Sequence, residues 1–114
     1  MDKTKLFSAG IDYDDGLKRF SGNAVLYEKF LVRFFDDKML SELKEQLDKN
    51  DYDNAFRTAH NLKGMAGNLS IKTLYNTICV IVEELRSKNT QADYTTLYNN
   101  VIEDYQKAKK AVRG

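Results

Sequence analysis

The chain contains no proline in 114 residues. Turn-rich β-folds use proline in turns and at sheet edges, whereas helix interiors exclude it because it lacks an N–H and clashes with the preceding turn. No stretch alternates apolar and polar residues over a useful length, so the sequence predicts an all-α fold. Helical spacing marks the segments. After a lead-in, Met1–Tyr13, the stretch Asp14–Phe20 reads as a short amphipathic turn with Leu17 and Phe20 inward. Ser21-Gly22-Asn23 is a break, and its polar groups can cap a helix that begins at Ala24. Leu26, Tyr27, Phe30, Leu31 and Phe34 form one face, and the stripe resumes at a shifted phase as Leu40, Leu43 and Leu47. One long helix to about Lys49, bent near Asp36-Asp37-Lys38, accounts for both. From the Asn50-Asp51 break a third helix runs to about Leu69, burying Ala55, Phe56, Ala59, Leu62, Ala66 and Leu69. Ser70 is expected to cap a fourth, with Leu74, Ile78, Ile81 and Leu85 as its stripe. Beyond the polar loop Ser87–Ala92, the last helix carries Tyr94, Leu97, Val101, Tyr105, Ala108 and Val112. Connections of about 2–8 residues set successive helices side by side. The expected architecture is an up-down antiparallel four-helix bundle over residues 23–112, covered by a short N-terminal helix within residues 1–20. All of residues 1–114 are expected to form one domain.

Charge narrows the function. Eighteen basic against 17 acidic residues leave a net charge of +1, without the positive field that displaces phosphate counterions, so no nucleic-acid partner is expected. With 42% apolar residues, including 7 Tyr and 6 Phe, the chain is no disordered tail. No apolar run approaches the roughly 18 residues that span a bilayer. Met1-Asp2-Lys3-Thr4-Lys5 lacks the apolar stretch of a secretory signal, and the single Cys79 allows no internal disulfide. A cytoplasmic, free-standing monomer with no membrane partner is the expectation. The cluster Lys107, Lys109, Lys110 and Arg113 could touch nucleic acid or membrane, but a solvated helix end, where cations oppose the macrodipole, accounts for it better.

His60 is the only histidine. Ala59, Leu62, Ala66 and Leu69 define the buried stripe of its helix, which leaves His60, Lys63, Gly64 and Gly67 stacked beside that stripe and open to solvent. Each glycine costs about 1 kcal/mol relative to alanine in a helix interior. Placed one turn apart beside the only imidazole, they can form a bare strip along which another molecule approaches. A nucleophilic imidazole, an adjacent cation and a cleared strip suit transfer of a phosphoryl group to and from histidine. A surface histidine without a role, beside glycines that permit close helix packing, remains the alternative. Metal binding is disfavoured, with Arg57 three residues before His60 and Gly64 four after it. Cys79, next to Ile78 on an apolar helix, reads as buried and inert rather than as a nucleophile paired with His60.

The segment Ala59-His60-Asn61-Leu62-Lys63-Gly64, followed by Ala66-Gly67-Asn68-Leu69, resembles the phosphorylation site of histidine-containing phosphotransfer (HPt) domains of two-component phosphorelays. The lead-in is similar too, through Gly10-Ile11-Asp12, Gly16-Leu17-Lys18-Arg19-Phe20, Gly22-Asn23, Leu26-Tyr27 and Phe34, as are Asp51, Ala55 and Ala59. The resemblance covers about residues 10–88 and is weak over the last helix. It implies a four-helix bundle without kinase activity. His60 would be the phospho-accepting residue and Lys63 its electrostatic helper, with Gly64, Gly67, Asn61 and Asn68 in the docking face. The implied partners are a response-regulator receiver domain, a hybrid sensor histidine kinase or both. No cofactor of its own is implied; Mg²⁺ would belong to the receiver. Two positions depart from the family pattern: Ser70 stands where glycine is common, and Val82 where a Glu or Gln often stands. The implied function is that of a phosphorelay intermediate. The alternative is a helical interaction module that keeps the fold without the transfer.

Overall fold

In the computed structural model, which describes residues 1–114, most helices begin at a side-chain acceptor. Asp2 accepts from the N–H groups of Thr4 and Lys5 to start α1 (Lys3–Ser8), and Asp12 starts α2 (Tyr13–Arg19). Asn23, in the expected break, accepts from Leu26 N–H at 3.0 Å and opens α3 (Ala24–Phe34). Asp51 and Asp93 do the same for α5 (Tyr52–Asn68) and α7 (Tyr94–Arg113). Each satisfies an amide that the first helical turn leaves without a partner.

The expected long helix over Ala24 to Lys49 is two helices, α3 and α4 (Met39–Asp48). Phe34 and Phe35 are both buried, at 3% exposure each, and α3 ends there, with Phe35 as its C-cap. The chain leaves the helix at that point, and Asp37 Oδ1 accepts from Met39 N–H at 2.8 Å to begin α4. The inward face of α3 is Tyr27, Leu31 and Phe34, whereas Leu26 and Phe30, expected inside, are exposed. Leu17, Phe20 and Phe56 are half-buried rather than fully inward. The lead-in was expected to contribute one short helix and contributes two, because Leu6 is wholly buried and anchors α1.

Ser70 does not cap α6 (Lys72–Arg86). Its φ is +57°, its carbonyl accepts from Asp12 N–H at 3.0 Å, and its hydroxyl donates to Asp15 Oδ2 at 2.6 Å. The free amides of Lys72 and Thr73 instead reach the carbonyl oxygen of Gly10, at 2.8 and 3.3 Å. Gly10, at φ +87°, is needed there, since a β-carbon would sit 2.2 Å from Thr73 Oγ1. Beside it Ile11 and Ile71 form a single antiparallel bridge, both fully buried. The lead-in main chain therefore does what the sequence reading assigned to a serine.

Successive helices from α4 to α7 pack side by side, and α7 closes the bundle against α3 and α4, with α1 across its end. One continuous cluster of 22 buried apolar residues fills the interior. Tyrosine hydroxyls tie the layers through main-chain carbonyls: Tyr105 to Phe35 and Tyr98 to Leu40, at 2.9 Å each, and Tyr27 to Leu69 at 2.8 Å. No helix is long and apolar enough to cross a membrane.

Candidate functional site

Helix α5 buries Ala55, Ala59, Leu62 and Ala66, and this register turns His60 out to solvent. The small alanines let α5 sit close to its neighbours while the opposite edge stays open. His60, Lys63 and Gly64 line one side of an open depression of about 520 Å³. Gly67 and Asn68 continue it, Arg19 borders it from α2, and Lys72, Tyr75 and Asn76 face it from α6. Asn61 is exposed but lies outside the depression.

The two glycines are not equivalent. A β-carbon at Gly64 would meet nothing within 4 Å, so that position is bare. At Gly67 it would stand 3.2 Å from Cε2 of Tyr75, so Gly67 gives room to a neighbouring ring as well as bordering the depression.

The rim is cationic. Lys72 is held by Asp12 at 3.4 Å and Asp15 at 3.8 Å, and Arg19 by Asp15 at 3.1 Å. The hydrogen bond from Ser70, then that from Arg19, holds the Asp15 carboxyl below the ordinary carboxylate range. Lys63 alone among these cations has no carboxylate partner, and it is half-buried on the His60 face. The imidazole itself makes no hydrogen bond; it stacks on Phe56, with ring centroids 5.7 Å apart and planes 13° from parallel. Arg86 sets its guanidinium over the same Phe56 ring at 5.5 Å.

An apolar groove adjoins the depression across Asn68, lined by Phe20, Phe30, Phe34, Met65 and Leu69. It explains the exposure of Phe30. No three His, Cys, Asp or Glu side chains stand close enough to hold a metal ion, and Cys79 is half-buried on α6 rather than fully enclosed. Val82 is wholly buried in the core and presents nothing polar to the imidazole.

The sequence pattern places Phe56 in the buried stripe and gives Arg19, Lys72 and Tyr75 no place at the site. Phe56 was within reach, since a residue four before His60 on a helix shares its face. The others reach the site only through the turns that fold α2 and α6 beside α5.

The chain is an all-helical bundle that exposes its single imidazole on a cationic face, beside a bare glycine. The model of the Hpt domain family matches residues 26–109, and the chain belongs to that family. The match takes in most of α7, where the sequence resemblance was weak, and leaves out the similar segments from Gly10 to Asn23. Hpt domains serve histidine phosphotransfer in two-component phosphorelays and are phosphocarriers rather than kinases. Comparison with curated proteins and with solved structures gives no match.

Proposed function

We propose that the protein is a phosphorelay intermediate in which His60 accepts a phosphoryl group from the aspartate of a response-regulator receiver, or from a hybrid kinase, and passes it to another receiver. The observation that carries the reading is the exposed imidazole of His60 on the same depression as an unpaired Lys63 and an open Gly64. A ring nitrogen of the neutral imidazole attacks phosphorus in line. The P–N bond forms as the bond to the aspartyl oxygen breaks, the carboxylate leaves with the electron pair, and the ring nitrogen that did not attack releases its proton to solvent. The carrier then supplies position and charge, Lys63 for the phosphoryl oxygens and Gly64 for approach, while Mg²⁺ would be held by the receiver.

The test is incubation with a panel of phosphorylated receiver domains. Label that is acid-labile and base-stable on the wild-type chain, and absent from His60→Gln, is the expected result. The His60→Gln melting temperature should hardly move, since exposed substitutions stay within about 0.5 kcal/mol. Undiminished labelling of that variant would exclude His60. A chain that no receiver labels would instead fit the non-catalytic interaction module.

A further inference from the structure

The imidazole of His60 is placed by a ring, not by a hydrogen bond. Phe56 and His60 lie 5.7 Å apart at 13°, the offset parallel geometry that the charge distribution of aromatic faces and edges favours. Phe56 is itself packed against the core, and Arg86, the last residue of α6, holds its guanidinium 5.5 Å above that ring. Glu83 steadies Arg86 at 3.4 Å. From α6 the buried Val82 offers no polar group that could fix the imidazole instead.

We propose that Phe56, clasped by Arg86, is a positioning residue that sets the plane of the His60 imidazole for attack on phosphorus. This rests on the relay reading above. The attacking lone pair lies in the plane of the imidazole, so rotation about the Cβ–Cγ bond swings it away from an in-line approach. Stacking opposes that rotation, because the ring can turn only by giving up face contact with Phe56. A face contact also leaves both ring nitrogens free, one to attack and the other to release its proton.

The experiment compares wild type, Phe56→Leu and Phe56→Tyr. In NMR spectra of the free protein, wild type and Phe56→Tyr should show contacts between ring 56 and the His60 ring protons, with those protons shifted upfield; Phe56→Leu should show neither. In single-turnover transfer from a phosphorylated receiver, Phe56→Leu should lower the limiting rate about tenfold, short of the ~10²-fold that a 1 Å misplacement can cause. The receiver concentration at half-saturation should stay unchanged, and Phe56→Tyr should keep the wild-type rate. Should Phe56→Leu not fold, the exposed Arg86→Gln loosens the same ring and should lower the limiting rate in the same sense. Wild-type spectra without the ring contact overturn the proposal, as does an unchanged limiting rate in Phe56→Leu or, in its place, Arg86→Gln. A wild-type chain that no receiver labels overturns the relay reading and this role together, whereas a labelled wild type with an indifferent Phe56→Leu overturns the role alone.

Discussion

Gly16 lies so close beneath the ring of Tyr27 that a β-carbon on residue 16 would stand 2.3 Å from Tyr27 Cζ. Tyr27 has nowhere to retreat: it is fully buried, and its hydroxyl donates to the Leu69 carbonyl at the end of α5. Burial pushes the phenol far above its ordinary pKa, so it stays a donor throughout the working range. One glycine on α2 thereby lets α3 hold the C-terminal end of the helix that carries His60.

Gly16→Ala is therefore expected to destabilise the fold, although alanine is the better helix former. Overpacking costs about 1–3 kcal/mol against the roughly 1 kcal/mol of propensity gained, and the clash here involves a ring with no free space. Tyr27→Phe should cost about 1 kcal/mol by leaving the Leu69 carbonyl without its donor. Each kcal/mol lowers the melting temperature by about 4–8 °C in a domain near this size, so calorimetry reads both. A Gly16→Ala variant that melts higher than wild type would mean that Tyr27 can move.

The glycines of α5 should separate in the opposite sense. Gly64→Ala adds a methyl group to open space and should raise stability by up to about 1 kcal/mol. Gly67→Ala should gain less, because the Tyr75 ring must shift first. A long side chain at the open position, as in Gly64→Gln, should leave the melting curve intact and slow phosphoryl transfer. Normal transfer with Gly64→Gln would show that the bare position is not an approach route.

What the sequence made legible was local. Ala59, Leu62 and Ala66 recur at helical spacing, and that period alone put His60 outside the core. The same period missed the break after Phe34, because α3 ends at Phe35 and the apolar stripe resumes at Leu40 in a separate helix. It also failed at Leu26 and Phe30, which are exposed, Phe30 on an external groove lined by apolar residues, so hydrophobicity there did not mean interior. Ser70 reads as a cap because serine is a good cap in isolation. Its actual partners, Asp12 and Asp15, lie more than fifty residues earlier in the chain. Arg19 and Lys72 were invisible as site residues for the same reason.

Ser70 carries a pH-dependent prediction. Its left-handed backbone suits glycine better by about 1–2 kcal/mol, while its hydroxyl helps hold Asp15 ionised. Because the folded Asp15 titrates below its ordinary value of 3.8, its contribution is fully present above about pH 4. It is lost as pH falls through the lower, folded value. Ser70→Ala keeps the backbone strain and loses the bond, so it should melt below wild type at pH 7, with a gap that narrows in acid. Ser70→Gly loses the bond but relieves the strain, and should melt above Ser70→Ala at every pH. Thermal melts between pH 7 and pH 2.5 decide this; parallel curves for wild type and Ser70→Ala would remove the hydroxyl from the account.

Lys63 should act by charge. It is the one cation on the His60 depression without a carboxylate partner, so its field is free to act on an incoming phosphoryl group. A charge contact at the protein surface is worth about 0.2–1 kcal/mol, so Lys63→Ala should slow transfer by up to about fivefold. Lys63→Glu replaces attraction with repulsion, roughly doubling the free-energy change and slowing transfer by up to about thirtyfold. Neither variant should melt far from wild type, since no ion pair is broken. The separation between them should shrink as salt rises, because exposed charges are screened over about 10 Å at 0.1 M. Transfer rates for the three proteins between 20 mM and 500 mM salt measure this directly. Identical rates at the low-salt end would make Lys63 ordinary solvated surface, whereas a salt-independent gap would point to a direct contact with the phosphoryl group rather than to a field.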